Sequence, residues 1–448
     1  MFAAFFSAAC SLAPEYTRPE LPVPPGIVAG DKAARLEPDL YKASVGEFFQ
    51  DKRLQALITL GLARNRDLKI AALAVLEAKS RYRIQRAESL PEIGAAASGD
   101  YRGGFGKTTD NSYEVAGMAA FELDLFGRLK SLNEAALQNY LATEEAAAAA
   151  RISLVAGIAE SYLASCLAEE LLQLSKRTRQ SRRDSYAFIE ARVASGQAGW
   201  LDLEQARSML EFSGASQAEA ERELIRANNA LALLLGHYDS RDLPKATPLA
   251  EQRLLQLPEG VASGALLARP DVLQAEHALM AANADIGAAR AAFFPTISLT
   301  GSLGYMSGDL NQLVRDASSF WSFLPGITLP IFSGGRNKAE LNMAEIRKES
   351  SIAQYEKTIQ NAFREVADAL LSRATFAEQE KAQERLLRVQ RRVLELARDS
   401  YINGAVSYLE VLEAEREVFE AERTLLGIRR ARLSNDIALY AALGGGLE

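Results

Sequence analysis

Phe294-Pro295-Thr296-Ile297-Ser298-Leu299 decides how the rest of the chain is read. The proline ends a helical run, because it lacks the N–H that a helix interior needs, and the residues after it change period from 3.6 to two. Leu90-Pro91-Glu92-Ile93-Gly94-Ala95 makes the same switch 204 residues earlier (295 − 91). Arg86 and Arg290, and Asp67 and Asp271, keep that offset. Farther on, Gly196 with Trp200-Leu201-Asp202 answers Gly404 with Tyr408-Leu409-Glu410, and Leu235-Gly236 answers Leu443-Gly444, now at 208 (404 − 196). A unit of about two hundred residues is duplicated, far longer than a solenoid repeat.

The stretch after each proline reads as half of a hairpin. Ile297, Leu299, Gly301, Leu303 and Tyr305 alternate with Ser298, Thr300, Ser302 and Gly304, and a return run carries Trp321, Phe323, Ile327, Leu329 and Ile331. In the first copy, Ile93, Ala95, Ala97, Gly99 and Tyr101 share a face. After a Gly-rich loop, Tyr113, Val115, Gly117, Ala119, Phe121 and Leu123 do the same, with Glu114, Glu122 and Asp124 opposite. Each strand is about ten residues, the length of a tilted membrane strand. Tyr101, Tyr113, Phe126, Tyr305, Trp321 and Phe332 stand near the ends, as interfacial girdles do. Taken alone, such a hairpin also reads as part of a soluble sandwich.

Helical periodicity runs from near Leu54 to Arg86. From residue 130 to 195 there is no proline and only Gly157 interrupts, and from 337 to 401 there is neither proline nor glycine. Sixty-odd residues make roughly 100 Å of helix, which calls for coiled-coil packing. Turns at Gly196–Gly199 and Asn403–Gly404 reverse the direction into return helices over 201–235 and 409–443. The expected organisation is a signal-peptide remnant (1–9), an extended Pro-rich arm (10–50), a first repeat (51–236, hairpin 92–126, long helices 130–235), a connector (237–264), a second repeat (265–444, hairpin 296–332, long helices 337–443) and a short tail (445–448).

Composition narrows the function. Net charge is −7 with no basic stripe, which disfavours nucleic acid as a partner. His237 and His277 are too few and too far apart for a metal cluster, and Cys166 sits in an apolar helical run as a small core residue. No Walker loop, nucleophile elbow or other catalytic constellation is present, so the reading is a protein that is not an enzyme and holds no cofactor. Cys10 follows an apolar run ending in Ser7-Ala8-Ala9, which suggests a secretory signal processed at a lipid-modified Cys10; an ordinary signal with a bystander cysteine is the alternative. No helical run holds 18 residues free of charge, as a spanning helix requires, so a bilayer crossing must use strands in a closed barrel. Four strands cannot close one, and open edges in lipid cost several kcal/mol per unpaired group. Sister chains must therefore share strands.

Several motifs together resemble the TolC-like outer-membrane efflux factors, in the lipoprotein branch called NodT-type. They are Cys10-Ser11-Leu12-Ala13-Pro14-Glu15-Tyr16-Thr17-Arg18-Pro19, Arg269-Pro270-Asp271-Val272, Ala289-Arg290-Ala291-Ala292-Phe293-Phe294-Pro295, Pro330-Ile331-Phe332-Ser333-Gly334-Gly335-Arg336 and Ala362-Phe363-Arg364-Glu365-Val366-Ala367-Asp368-Ala369-Leu370. The resemblance implies a mixed α and β membrane protein: long antiparallel helices forming a periplasmic α-barrel, and four transmembrane strands per chain in a homotrimeric twelve-stranded β-barrel. It implies an outer-membrane location with a lipid anchor, and a passive exit duct for a tripartite efflux pump. The partners would be a periplasmic adaptor protein, an inner-membrane transporter of the RND type and outer-membrane lipid. Type I protein secretion, or a coiled-coil envelope protein without a pore, are the alternatives.

Glu410 and Glu413, three apart on one helix face, read alone as a solvated surface. The resemblance makes them an acidic ring at the closed periplasmic tip, where like charges brought together favour cations. It likewise assigns Tyr401 and Asp202 to the hydrogen bonds that shut the tip, and the turns at Gly196 and Gly404 to adaptor docking, although tight turns alone explain those glycines as well. Val406 stands where some relatives carry an arginine, so the latch itself is left open.

Overall fold

The structure, a computed structural model, describes residues 11–28, 43–102, 110–236, 246–313 and 318–445. Cys10 and His237 lie outside the described residues. The main elements are β1 (Gly26–Val28), α1 (Val45–Phe48), α2 (Lys52–Arg64), α3 (Arg66–Ala87), β2 (Glu92–Arg102), β3 (Asp110–Leu123), α4 (Arg128–Ala194) and α5 (Trp200–Leu234) in the first half. β4 (Gly260–Ala262), α6 (Pro270–Ala291), β5 (Thr296–Ser307), β6 (Ser318–Thr328), α7 (Arg336–Ile402) and α8 (Tyr408–Ala442) follow in the second. The chain forms two compact units, and each takes residues from both repeats. One comprises Met1–Leu21, Leu73–Ala146 and Asp271–Thr358; the other comprises Pro22–Ala72, Ala147–Pro270 and Ile359–Glu448.

The first unit holds the four-stranded antiparallel sheet, in the order β2-β3-β5-β6. Its register joins the apolar positions into one continuous face. Ile93, Ala119, Gly301 and Phe323 lie side by side across the sheet, as do Ala95, Gly117, Leu303 and Trp321. The rows on the other face are mixed, among them Gly94, Met118, Ser302 and Ser322, with the Ser302 and Ser322 hydroxyls 2.7 Å apart. The apolar face is uncovered: Ile93 is 81% exposed and Trp321 76%. Water would oppose such a face, whereas hydrocarbon matches it. Gly304 allows β5 to approach β3, since a Cβ there would run into the Val115 carbonyl and Ala116. β6 stops at Thr328, so Leu329 and Ile331 fall beyond the strand read for them.

The long helices appear at α4 and α7, 67 residues each, with return helices α5 and α8 of 35. α4 contains one 18-residue window apolar enough by composition to cross a bilayer. That window is 56% buried inside the protein, which makes it core rather than a span. The periodic run from Leu54 to Arg86 is broken in two at Asn65. Its amide donates to the Leu234 carbonyl at 2.8 Å, and its side-chain oxygen accepts from the Leu68 N–H at 2.9 Å, capping α3. In the second unit Phe48 stacks on Tyr440 with centroids 3.9 Å apart. β1 pairs with β4, so the arm and the connector meet as a small ribbon that the sequence did not reveal.

Candidate functional site

The two helical turns close in the same way, as the repeat requires. The Gly196 N–H donates to Val193 and the Gln197 N–H to Arg192; the Gly404 N–H donates to Tyr401 and the Ala405 N–H to Ser400. Gly196 has φ +74° and Gly404 φ +73°, the left-handed conformation that glycine reaches without a Cβ penalty. Between the turns, α4, α5, α7 and α8 bury an apolar cluster of Ile189, Leu203, Ala206, Tyr401, Tyr408 and Leu412, against which Val406 packs. Val406 therefore fills core space where an arginine would need a polar partner.

Tyr401 is 9% exposed, and its hydroxyl donates to Asp202 Oδ2 across a long 3.4 Å. Burial, followed by the neighbouring Asp202, pushes the Tyr401 pKa up, so it remains a donor at any physiological pH. Its ring lies 5.2 Å from that of Tyr408. The other face of the contact is cationic: the Arg192 guanidinium stands 5.1 Å from the Tyr401 ring centre and 5.7 Å from that of Phe188. Glu410 and Glu413 are exposed on α8, and among the described residues neither makes an ion pair.

Farther along the same helices is a buried ionic triad. Glu415 on α8 accepts from Arg182 on α4 and, at 2.6 Å, from Arg398 on α7. The Arg182 and Glu415 side chains are each 6% exposed, while Arg398 is 45% exposed. Burial, with Arg398 alongside, pushes the Arg182 pKa down. One carboxylate thus bridges the α4–α5 hairpin and the α7–α8 hairpin. Sequence reading picked out Tyr401, Asp202, Glu410 and Glu413 and missed Arg192, Arg182, Arg398 and Glu415. A signal was present for Glu415: it falls on the apolar stripe of Tyr408, Val411, Leu412 and Val418, where a charge calls for a buried partner.

Among the described residues no group of three or more His, Cys, Asp or Glu side chains is placed to hold a metal ion. His277 donates from Nδ1 to Gln138 at 2.6 Å in helix packing, and Cys166 is buried.

Comparison with known proteins gives a consistent result. The family model described as outer membrane efflux protein matches residues 57–237 and 261–445. The chain is 47% identical over 442 residues to the cation efflux system protein CusC of Escherichia coli K12, covering 98% of this chain and 96% of that one. It is 42% identical over 446 residues to the probable outer membrane lipoprotein SilC of Salmonella typhimurium, covering 99% and 97%. The crystal structure of CusC, studied for the conformational changes accompanying folding and transmembrane channel formation, superposes with a TM-score of 0.90 at 46% identity, covering 98% of this chain and all of that one.

Proposed function

The chain belongs to the outer membrane efflux protein family, and on that footing we propose that three copies of it form the exit duct of a tripartite pump, shut at rest by the helical turns. The supporting observation is the four-stranded sheet with two unpaired edges and an uncovered apolar face. Such a sheet is stable in lipid only when sister copies pair with β2 and β6, and three copies of four strands give twelve. An inner-membrane transporter of the RND type supplies the work, and a periplasmic adaptor docks at the turns around Gly196 and Gly404. Cys10 carries lipid that holds the assembly to the membrane.

The gate is Tyr401 with Asp202, assisted by Arg192, and the acids Glu410 and Glu413 form a cation-attracting ring when copies surround a common axis. Adaptor binding opens it as a rigid shift of one helical hairpin against the other. The test is extraction from outer membranes followed by planar-bilayer recording. Heat-resistant trimers with a low resting conductance are expected, and Glu410→Gln with Glu413→Gln changes conductance or its block by divalent cations. A monomer that conducts nothing refutes the duct. Unchanged conductance and unchanged block in the double variant remove the two acids from the gate.

A further inference from the structure

The arm from Ser11 to Arg18 is laced along one stripe of α6. Arg290 donates to the Leu12 carbonyl at 3.2 Å, Ala13 lies against Gly287, and Asn283 donates to the Pro14 carbonyl at 2.7 Å. At the far end, Glu276 accepts from the Tyr16 hydroxyl at 3.0 Å and from Arg18 through two bonds of 2.7 and 2.9 Å. Positions 276, 283, 287 and 290 repeat at helical spacing on one face. The arm runs antiparallel to the helix, so its Ser11 end lies toward the end of α6 that leads into β5.

Glu276 is 2% exposed. Among the described residues its carboxylate is met only by the arm, in the fork geometry that guanidinium and carboxylate share. The buried Tyr355 of α7 stands near the same pair, and burial pushes its pKa up, so it offers no charge to Glu276. That burial is measured with the arm laid over Glu276, and the arm also supplies the partners of its carboxylate. A carboxylate held in such a place without its guanidinium is among the most destabilising features a packed helix can carry.

We propose that Glu276 is a positioning residue that makes seating of the N-terminal arm a precondition for settling α6, and through α6 for setting β5 between β3 and β6 as the sheet enters the membrane. Residues 11–18 are thus an intramolecular strap read by one buried acid. The inference does not use the proposed lipid on Cys10.

The test compares the parent, Arg18→Ala, and Arg18→Ala combined with Glu276→Met, expressed as the full chain. Three things are read: the urea-resistant outer-membrane fraction, protease nicking within residues 11–22 located by mass spectrometry, and palmitate labelling. Arg18→Ala is expected to expose the arm to nicking and to lower the integrated fraction about tenfold, because it strands the carboxylate. The double variant is expected to recover most of the integrated protein although its arm stays loose, since the buried charge is gone. Palmitate labelling is expected to be equal per molecule in all three, which separates loss of the strap from loss of acylation. Normal integration of Arg18→Ala, or a double variant as poor as the single, overturns the proposal.

Discussion

Glu415→Gln should loosen the turns of the two helical hairpins. The substitution keeps the shape of the side chain and removes the one negative charge between Arg182 and Arg398. Breaking a buried ion pair by neutralising one partner costs about 3–5 kcal/mol, most of it the penalty of the charge left behind. Arg398 is 45% exposed and can turn to water, so only Arg182 is stranded, and the lower end of about 3 kcal/mol applies. At 1.4 kcal/mol per factor of ten, the packed arrangement of the hairpins loses about 100-fold against a separated one. Single-channel recording in planar bilayers should show a higher resting open probability, and thermal unfolding should begin at lower temperature. Adding Arg182→Met removes the stranded cation and should restore most of both properties. A Glu415→Gln protein with the conductance and melting of the parent, or a double variant no better than the single, would refute the reasoning.

Other outcomes follow from the same structure. Asn65→Ala removes both the cap of α3 and the bond to Leu234, and should lower stability by about 1–2 kcal/mol in denaturant melts. Gly304→Val places a branched side chain against the Val115 carbonyl, and should abolish urea-resistant membrane integration while leaving helix content by circular dichroism largely intact. Burial pushes the Cys166 thiol up to about 12 and the Tyr162 hydroxyl likewise to about 12. Both groups stay protonated in the folded chain after the unfolded chain has lost its protons. Their contribution is therefore complete below about pH 9, where the unfolded thiol ionises, and is lost as pH rises toward about 12. Thiol reagents at pH 8 should leave Cys166 unmodified until the protein is denatured. Arg192→Gln should raise resting conductance without altering membrane integration, because it removes the cation over Tyr401 and touches no strand.

The sequence by itself determined the duplicated plan, the four strands and the long helical hairpins. These follow from local causes: proline at 91 and 295, the change of period after it, and proline-free runs broken at Gly196 and Gly404. Alternation along each strand also fixed which residues share a face, since the pleat has period two. Tertiary structure alone decided the partners. Asn65 looks like any polar residue in a helical run until Leu234 lies beside it. The partners of Glu276 and Glu415 became legible only when residues 258 and 233 positions away supplied Arg18 and Arg182. A charge on an apolar stripe announces that it needs a partner, because an unpaired buried charge is costly. Which distant residue supplies that partner depends on how the helices pack, and the period of one helix does not encode it.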